Sequence, residues 1–332
     1  MTRPRIGIAL GSGSARGWSH IGVIEALHEA GIEPDIVCGS SFGSVVGAAY
    51  VTDQLAALKT FAEALTWREI VGLLDVGFSG GGLINGRSIV ELLRTLKIDT
   101  PIETCAKPFA AVATDLETGR EIWLRKGPIN EAVRASIALP GILSPARNGD
   151  RWLVDGGLVN PVPVSVCRAL GADVVIAVDL NGDLMGRRFK TDSAKLPTGG
   201  FTAPPPEFVR RLIDQIPAGI RNEVAEIAPK LLESAPTRPG YFDVLANSIN
   251  IMQDQITRSR LAGEPPHVML VPRLADFGLM EFHRASEAIA EGRACVEQAM
   301  PALRRYIQAS ATQPNESGDR PVGPQDGLSS PQ

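Results

Sequence analysis

The sequence predicts an α/β fold in which helices cover both faces of a mainly parallel sheet. Three observations carry that reading. β-type and helix-type runs alternate through the first half of the chain. Small-residue turns join a strand directly to a helix at two places, Gly11–Gly17 and Gly39–Gly43. The chain has 332 residues with 44% hydrophobic content, enough for a substantial core in one large α/β domain or two smaller ones.

In chain order, Arg5–Leu10 reads as a strand, Arg16–Ala30 as a helix and Asp35–Cys38 as a strand. Phe42–Tyr50, Gln54–Leu65 and Arg87–Leu96 read as helices. Phe109–Thr114 and Arg120–Leu124 are strand-like, and Ile129–Ala138 is helical. Trp152–Val154 is a short strand, Pro163–Leu170 a helix and Val174–Asp179 an apolar strand. Between about 181 and 206 Gly, Pro, Lys and polar residues dominate, which predicts a mobile insertion. Two amphipathic stretches follow, within about 207–234: Phe208, Leu212, Ile213 and Ile216 share one side of the first, and Ile220, Val224, Ile227 and Leu231 fall at helical spacing in the second. Tyr241–Leu261 (helix), His267–Val271 (strand) and Glu281–Ile307 (helix) resume the core pattern. The expected organisation is one catalytic domain over 1–310 and a disordered tail over 311–332, rich in Pro, Gly, Ser and Gln.

A net charge of −4 provides no basic field, so nucleic acid is not an expected partner. Cys38, Cys105, Cys167 and Cys295 are widely spaced, lie in apolar stretches and form no C-x-x-C, which suggests buried thiols in a reducing compartment. The run Ile6–Leu10 is too short for a signal segment, and no stretch approaches the length of a membrane span. The expectation is a soluble, cytoplasmic protein that can visit a membrane surface. Neither a metal cluster nor a calcium loop is visible, so no metal or cofactor is expected.

Gly39-Ser40-Ser41-Phe42-Gly43 fits G-x-S-x-G between a β-type run and a helix-forming run. A serine on so sharp a turn holds its hydroxyl clear of the backbone, near a helix N-terminus, and flanking side chains would collide there. Ser41 is therefore the candidate nucleophile. Gly77-Phe78-Ser79-Gly80-Gly81 fits the same pattern, but nothing after Ser79 can start a helix at once, so Ser79 reads as a loop serine. An acyl-transfer serine needs oxyanion donors and a proton acceptor. The loop Gly11-Ser12-Gly13-Ser14-Ala15-Arg16-Gly17 follows the first strand and opens the first helix, so its backbone N–H groups can converge on an anion. As a dinucleotide turn it fits poorly: its glycines run G-x-G-x-x-x-G, and Glu33 and Asp35 precede the second strand instead of following it. Arg16 either shapes this loop, attracts an anionic head group or is a solvated arginine at a helix start. His20 and His28 read as packing or solvent-facing, while His267 or His283 could complete a Ser…Asp…His order. Asp155, where the run Trp152-Leu153-Val154 meets Gly156-Gly157, is either a hairpin-turn residue or a carboxylate on the edge where open α/β sheets keep their sites.

Taken together and in order, these segments resemble the patatin-like phospholipase family, most closely its bacterial RssA-type members. Gly11–Gly17, continuing Trp18-Ser19-His20-Ile21-Gly22-Val23, resembles the oxyanion loop and first helix. Gly39–Gly43 matches the nucleophile elbow, Arg134-Ala135-Ser136-Ile137-Ala138-Leu139-Pro140-Gly141 a segment that supports the site, and Asp155-Gly156-Gly157-Leu158-Val159-Asn160-Pro161-Val162-Pro163 the aspartate motif. The likeness is strong over about 5–180 and looser to about 305. It implies a three-layer α/β/α sandwich, a Ser41–Asp155 dyad with no histidine, and hydrolysis of fatty-acyl esters such as phospholipid or lysophospholipid through an acyl-enzyme. One position departs from the pattern: Ser12-Gly13-Ser14 stands where many members carry three glycines, and Ser14 is expected to narrow the hole. An acyltransferase using the same nucleophile, or a scaffolding protein that keeps the fold with little turnover, are the alternative functions. Nucleotide binding is a further one.

Overall fold

The computed structural model describes residues 3–66, 69–70, 85–183 and 241–312. Their strands are β1 (Ile6–Leu10), β2 (Ile36–Ser40), β3 (Phe109–Asp115), β4 (Glu121–Leu124), β5 (Ala146–Asn148), β6 (Arg151–Asp155), β7 (Val174–Val178) and β8 (Val268–Leu270). Their helices are α1 (Ser19–Glu29), α2 (Phe42–Val51), α3 (Leu55–Ala64), α4 (Arg87–Thr95), α5 (Ile129–Ser136), α6 (Val164–Ala169), α7 (Tyr241–Gly263) and α8 (Ala285–Thr312). The second G-x-S-x-G around Ser79, the insertion beyond Asp183, the two amphipathic stretches and the tail beyond Thr312 lie outside the described residues, while Ala311 and Thr312, read as the start of the tail, close α8.

The sheet runs β5-β6-β3-β2-β1-β7-β8, with β4 also on β3. β3, β2, β1, β7 and β8 are mutually parallel. Every residue of β1, β2, β3 and β7 is buried. Alternate side chains enter opposite layers, as the pleat requires. Ile8, Leu10, Val37, Ala111, Ile176 and Val178 join one core with α1, α2, α5 and α8. Ala9, Cys38, Ala110, Val112, Val175 and Ala177 join the other with Val164, Val166 and Cys167 of α6. This is the expected three-layer sandwich around a mostly parallel sheet.

The other side of the sheet is antiparallel, and it positions the site. β3 pairs with β4, β3 with β6, and β6 with β5, all antiparallel. Val112 pairs with both Ser40 and Trp123, which puts β2 and β4 on opposite edges of β3. Thr114 pairs with both Glu121 and Val154, so β6 shares the β2 edge. β2 stops opposite Val112, and β6, running the other way, stops opposite Ala113. Two strand ends thus meet on one edge of β3, with Ser41 leaving one and Asp155 ending the other.

Several boundaries differ from the sequence reading for local reasons. The first helix opens as a 3-10 turn, Ser14–Trp18, because the Ala15 N–H bonds Leu279 O (3.1 Å) and the Arg16 N–H bonds Gly13 O (3.2 Å). A similar turn at Phe282–Arg284 precedes α8. β5 has three residues, too few for a periodic signal. α1 and α8 cross at glycines: a Cβ on Gly22 would lie 1.9 Å from Ile289 O, and one on Gly292 2.0 Å from Ser19 O.

Candidate active site

Ser41 sits between β2 and α2 with φ 52° and ψ −126°. A non-glycine residue there stores roughly 1–3 kcal/mol of strain, which the surroundings must hold in place. The Ser41 N–H donates to Ser136 Oγ (3.0 Å), whose hydroxyl donates to Val112 O (2.6 Å). On the helix side, Ser44 donates to Ser41 O through its N–H (2.9 Å) and its hydroxyl (2.6 Å). The elbow glycines permit close approach of backbone: a Cβ on Gly39 would come 2.5 Å from Gly43 O, and one on Gly43 2.1 Å from Leu10 O. Ser41 therefore has its hydroxyl at the N-terminus of α2, where the helix dipole favours negative charge.

Asp155 is 1% exposed. Its Oδ2 accepts the Ser41 hydroxyl at 2.6 Å, and its Oδ1 accepts the Gly157 N–H at 2.7 Å. The second bond makes Asp155 the cap of a 3-10 turn, Gly156–Leu158, and not a hairpin-turn residue. Its backbone is held by Thr114 Oγ1, which donates to Asp155 O (2.8 Å), and by its own N–H, which donates to Ala138 O (2.9 Å). Burial pushes the carboxyl up to about 6, while the bonds from Ser41 and Gly157 pull the other way. The result is a stronger base than an exposed aspartate, still ionised at neutral pH.

The glycine-rich loop uses most of its own N–H groups. Gly11 donates to Val178 O (3.0 Å), Ser12 to Pro161 O (2.9 Å), Ala15 to Leu279 O and Arg16 to Gly13 O. The Gly13 and Ser14 N–H groups have no acceptor among the described residues. Ser14 adopts φ 51°, and its hydroxyl is tied to Leu279 O at 2.6 Å. Arg16 is buried, with Nε on Gly13 O (3.2 Å) and Nη2 on Asn250 Oδ1 (3.1 Å), so it braces the loop from within and is not solvated. Burial lowers it to about 10, against the pull of Asp179, which leaves it cationic at neutral pH.

The histidines lie elsewhere in the arrangement. His20 is fully buried, its Nε2 is 2.8 Å from Gly11 O, and burial lowers it to about 4. A neutral ring that donates to Gly11 O stiffens the loop from below. His267 precedes β8 at the N-terminal edge of the sheet, opposite the edge that carries Ser41, and its Nδ1 accepts the Val175 N–H (2.9 Å). His283 is exposed on the turn before α8, and His28 is exposed with Nε2 2.8 Å from Tyr50 Oη. The Ser41 hydroxyl bonds a carboxylate, and no imidazole takes part in that bond.

Beside the Ser41–Asp155 pair opens an apolar cavity of about 170 Å³. Trp18, Phe42 and Val45 line it near the serine, Leu58 and Phe61 of α3 and Ile89, Leu92 and Leu93 of α4 form walls, and Ile137, Leu139, Ile142 and Leu143 line the remainder with Met280 and Phe282. Trp18 and Phe42 meet edge-on at 4.7 Å. Among the described residues no group of His, Cys, Asp and Glu is arranged to hold a metal ion.

A family model described as patatin-like phospholipase matches residues 8–168, the span from β1 through α6 that holds both Ser41 and Asp155. An NTE family protein of Mycobacterium tuberculosis (strain H37Rv) is 36% identical over 342 residues, covering 90% of this chain and 92% of that one. The chain belongs to the patatin-like phospholipase family. A second, longer NTE family protein of the same strain is 30% identical and matches 90% of this chain but 46% of its own length. Patatin-like phospholipase domain-containing protein 6 of Mus musculus is 34% identical over 188 residues, 54% of this chain and 14% of that protein. The solved structure of VipD from Legionella pneumophila aligns over 91% of this chain and 67% of that one, at TM-score 0.44 and 12% identity. Membership in the patatin-like family implies a lipid hydrolase.

The polar supports Ser136, Thr114 and His20, and the α7 residues Asn250 and Gln253, carry no local signature. Ser136 and His20 do fall within stretches read from the sequence, Arg134–Gly141 and Gly11–Val23, but neither is singled out there as a support of the site.

Proposed function

We propose that this protein is a serine lipid acyl hydrolase, of phospholipase A, lysophospholipase or esterase type, working through a Ser41–Asp155 dyad. The observation that carries the proposal is the 2.6 Å bond from Ser41 Oγ to Asp155 Oδ2 in the lining of an apolar cavity. Ser41 Oγ attacks the ester carbonyl carbon while its proton passes to Asp155. The oxyanion forms against the Gly13 and Ser14 N–H groups and the N-terminus of α2. Each such donor contributes a factor on the order of 10²–10³ in rate. Collapse expels the alcohol, which takes the proton from Asp155. Water then attacks the acyl-enzyme, Asp155 takes its proton, and the fatty acid leaves as the proton returns to Ser41. No metal or cofactor enters these steps.

The cavity takes the acyl chain, each buried methylene contributing about 0.8 kcal/mol. Catalysis is assigned to one domain over 1–310. No described helix is long and apolar enough to cross a membrane. With Cys38, Cys105, Cys167 and Cys295 all free, we place the protein on the cytoplasmic side, meeting its lipid at a membrane surface. The test is to incubate it with phospholipid, lysophospholipid and short-chain esters and identify the products. Free fatty acid that disappears in Ser41→Ala and Asp155→Asn supports hydrolysis. Acyl product found only on an added alcohol would reassign the chemistry to transfer, and no turnover of any ester by folded protein would refute the proposal.

A further inference from the structure

Gln253 lies on α7, outside the span that the family model matches, and is 5% exposed. Its Oε1 accepts the Ser12 hydroxyl at 3.0 Å and the Asn181 Nδ2 at 3.2 Å. Its Nε2 lies over Gly157: a Cβ on that glycine would come within 2.4 Å of it. One side-chain amide therefore touches the glycine-rich loop through Ser12, the aspartate segment through Gly157, and the loop that follows β7 through Asn181. The Gly157 N–H is the group that holds Asp155 Oδ1. One turn earlier, Asn250 accepts from Arg16, which holds Gly13 O.

We propose that Gln253 is a positioning residue that locks the oxyanion loop to the Asp155 segment, so that the seating of α7 sets the catalytic competence of Ser41. This rests on the Ser41–Asp155 reading above. The physical basis is that the donors and the base belong to different loops. Gly13 and Ser14 follow β1, whereas Asp155 ends β6. Their relative placement must hold to within a fraction of an ångström, since misplacement by about 1 Å costs on the order of 10²-fold in rate. The Ser12 and Asn181 hydrogen bonds fix the amide more sharply than apolar packing would, because each donor and acceptor has a preferred direction, and the amide so fixed packs its Nε2 end against Gly157. Seating α7 brings the two loops into one arrangement, and unseating it would release Ser12 and Gly157 together. A contact that moves α7 would thereby change turnover without touching the substrate.

The experiment compares wild type, Gln253→Leu, Gln253→Glu and Gln255→Ala, the last changing an exposed residue on the same helix. Steady-state hydrolysis of a short-chain nitrophenyl ester is measured beside amide hydrogen exchange of the peptides covering 11–18 and 153–160. The proposal predicts that Gln253→Leu lowers kcat at least about 10-fold with KM changed less than about 2-fold. It also predicts faster exchange in both loop peptides while the β1 and β7 peptides keep wild-type protection. Gln253→Glu, which keeps the acceptor for Ser12 and Asn181, recovers part of kcat, and Gln255→Ala matches wild type. Wild-type kcat in Gln253→Leu, or an equal loss in Gln255→Ala, overturns the proposal. If wild type itself turns over no ester, the dyad reading has failed and the exchange arm decides the coupling alone. Loosening of both loops in Gln253→Leu then upholds it, and unchanged loops refute it.

Discussion

At the residue scale, the energetics concentrate on Asp155. Its carboxyl, raised to about 6 by burial, titrates above the ordinary value of about 3.9 of the unfolded chain. Between those values the folded state binds more protons than the unfolded state, so stability falls as pH rises from about 4 to about 6. At neutral pH the ionised carboxylate costs up to about 2–3 kcal/mol, at 1.36 kcal/mol per unit. Asp155→Asn is therefore expected to raise the melting temperature at pH 7 and to flatten stability between pH 4 and 6, both readable by calorimetry, while abolishing turnover. In the proposed mechanism Asp155 must be ionised to accept the serine proton, so kcat/KM should rise with pH through about 6 and then level off. His267→Ala and His283→Ala should leave kcat within about three-fold, because neither ring bonds Ser41 or Asp155; a loss as complete as that of Asp155→Asn would restore a histidine-based mechanism. Ser41 and Asp155 stand out in the sequence because each sits inside a short motif. The specific roles of Ser136, which lies in a matched segment, and of Gln253, which lies in none, do not stand out, because they reach Ser41 and Ser12 from 95 and 241 positions away. Nothing local marks such partners.

At the element scale, glycine contacts and the cavity walls are the features open to test. α1 and α8 approach closely enough that a methyl group on Gly292 would sit 2.0 Å from Ser19 O. Gly292→Ala should therefore destabilise by about 1–3 kcal/mol or more, the usual cost of overpacking, seen as a lower melting temperature. The α4 face Ile89, Leu92 and Leu93 lines the cavity. Filling it with Ile89→Phe should shift preference toward shorter acyl esters. Each methylene excluded costs about 0.8 kcal/mol, or about four-fold in relative kcat/KM. An unchanged chain-length profile would show that the acyl chain lies elsewhere. Elements with a strong local pattern, such as β7, α2 and α4, were legible to within a residue or two at each end. The 3-10 opening at Ser14–Trp18 was not, since it depends on a carbonyl of Leu279 far along the chain. Nor was β5, which has no periodicity of its own and exists as the partner of β6.

At the scale of the whole molecule, the fold performs one geometric task. A parallel sheet delivers the loop after β1 and the elbow after β2 to the same edge, and an antiparallel strand returns along β3 to bring Asp155 against Ser41. The alternation of strands and helices made the parallel half readable. The antiparallel half was not, because strand direction is set by pairing and not by composition. Labelling with a fluorophosphonate probe, with the modified peptide mapped, asks whether Ser41 is the nucleophile and Asp155 its base. One adduct is expected, on Ser41, formed by wild type and Ser79→Ala and lost in Ser41→Ala and Asp155→Asn. Undiminished labelling of Asp155→Asn, or an adduct on Ser79, would contradict those roles.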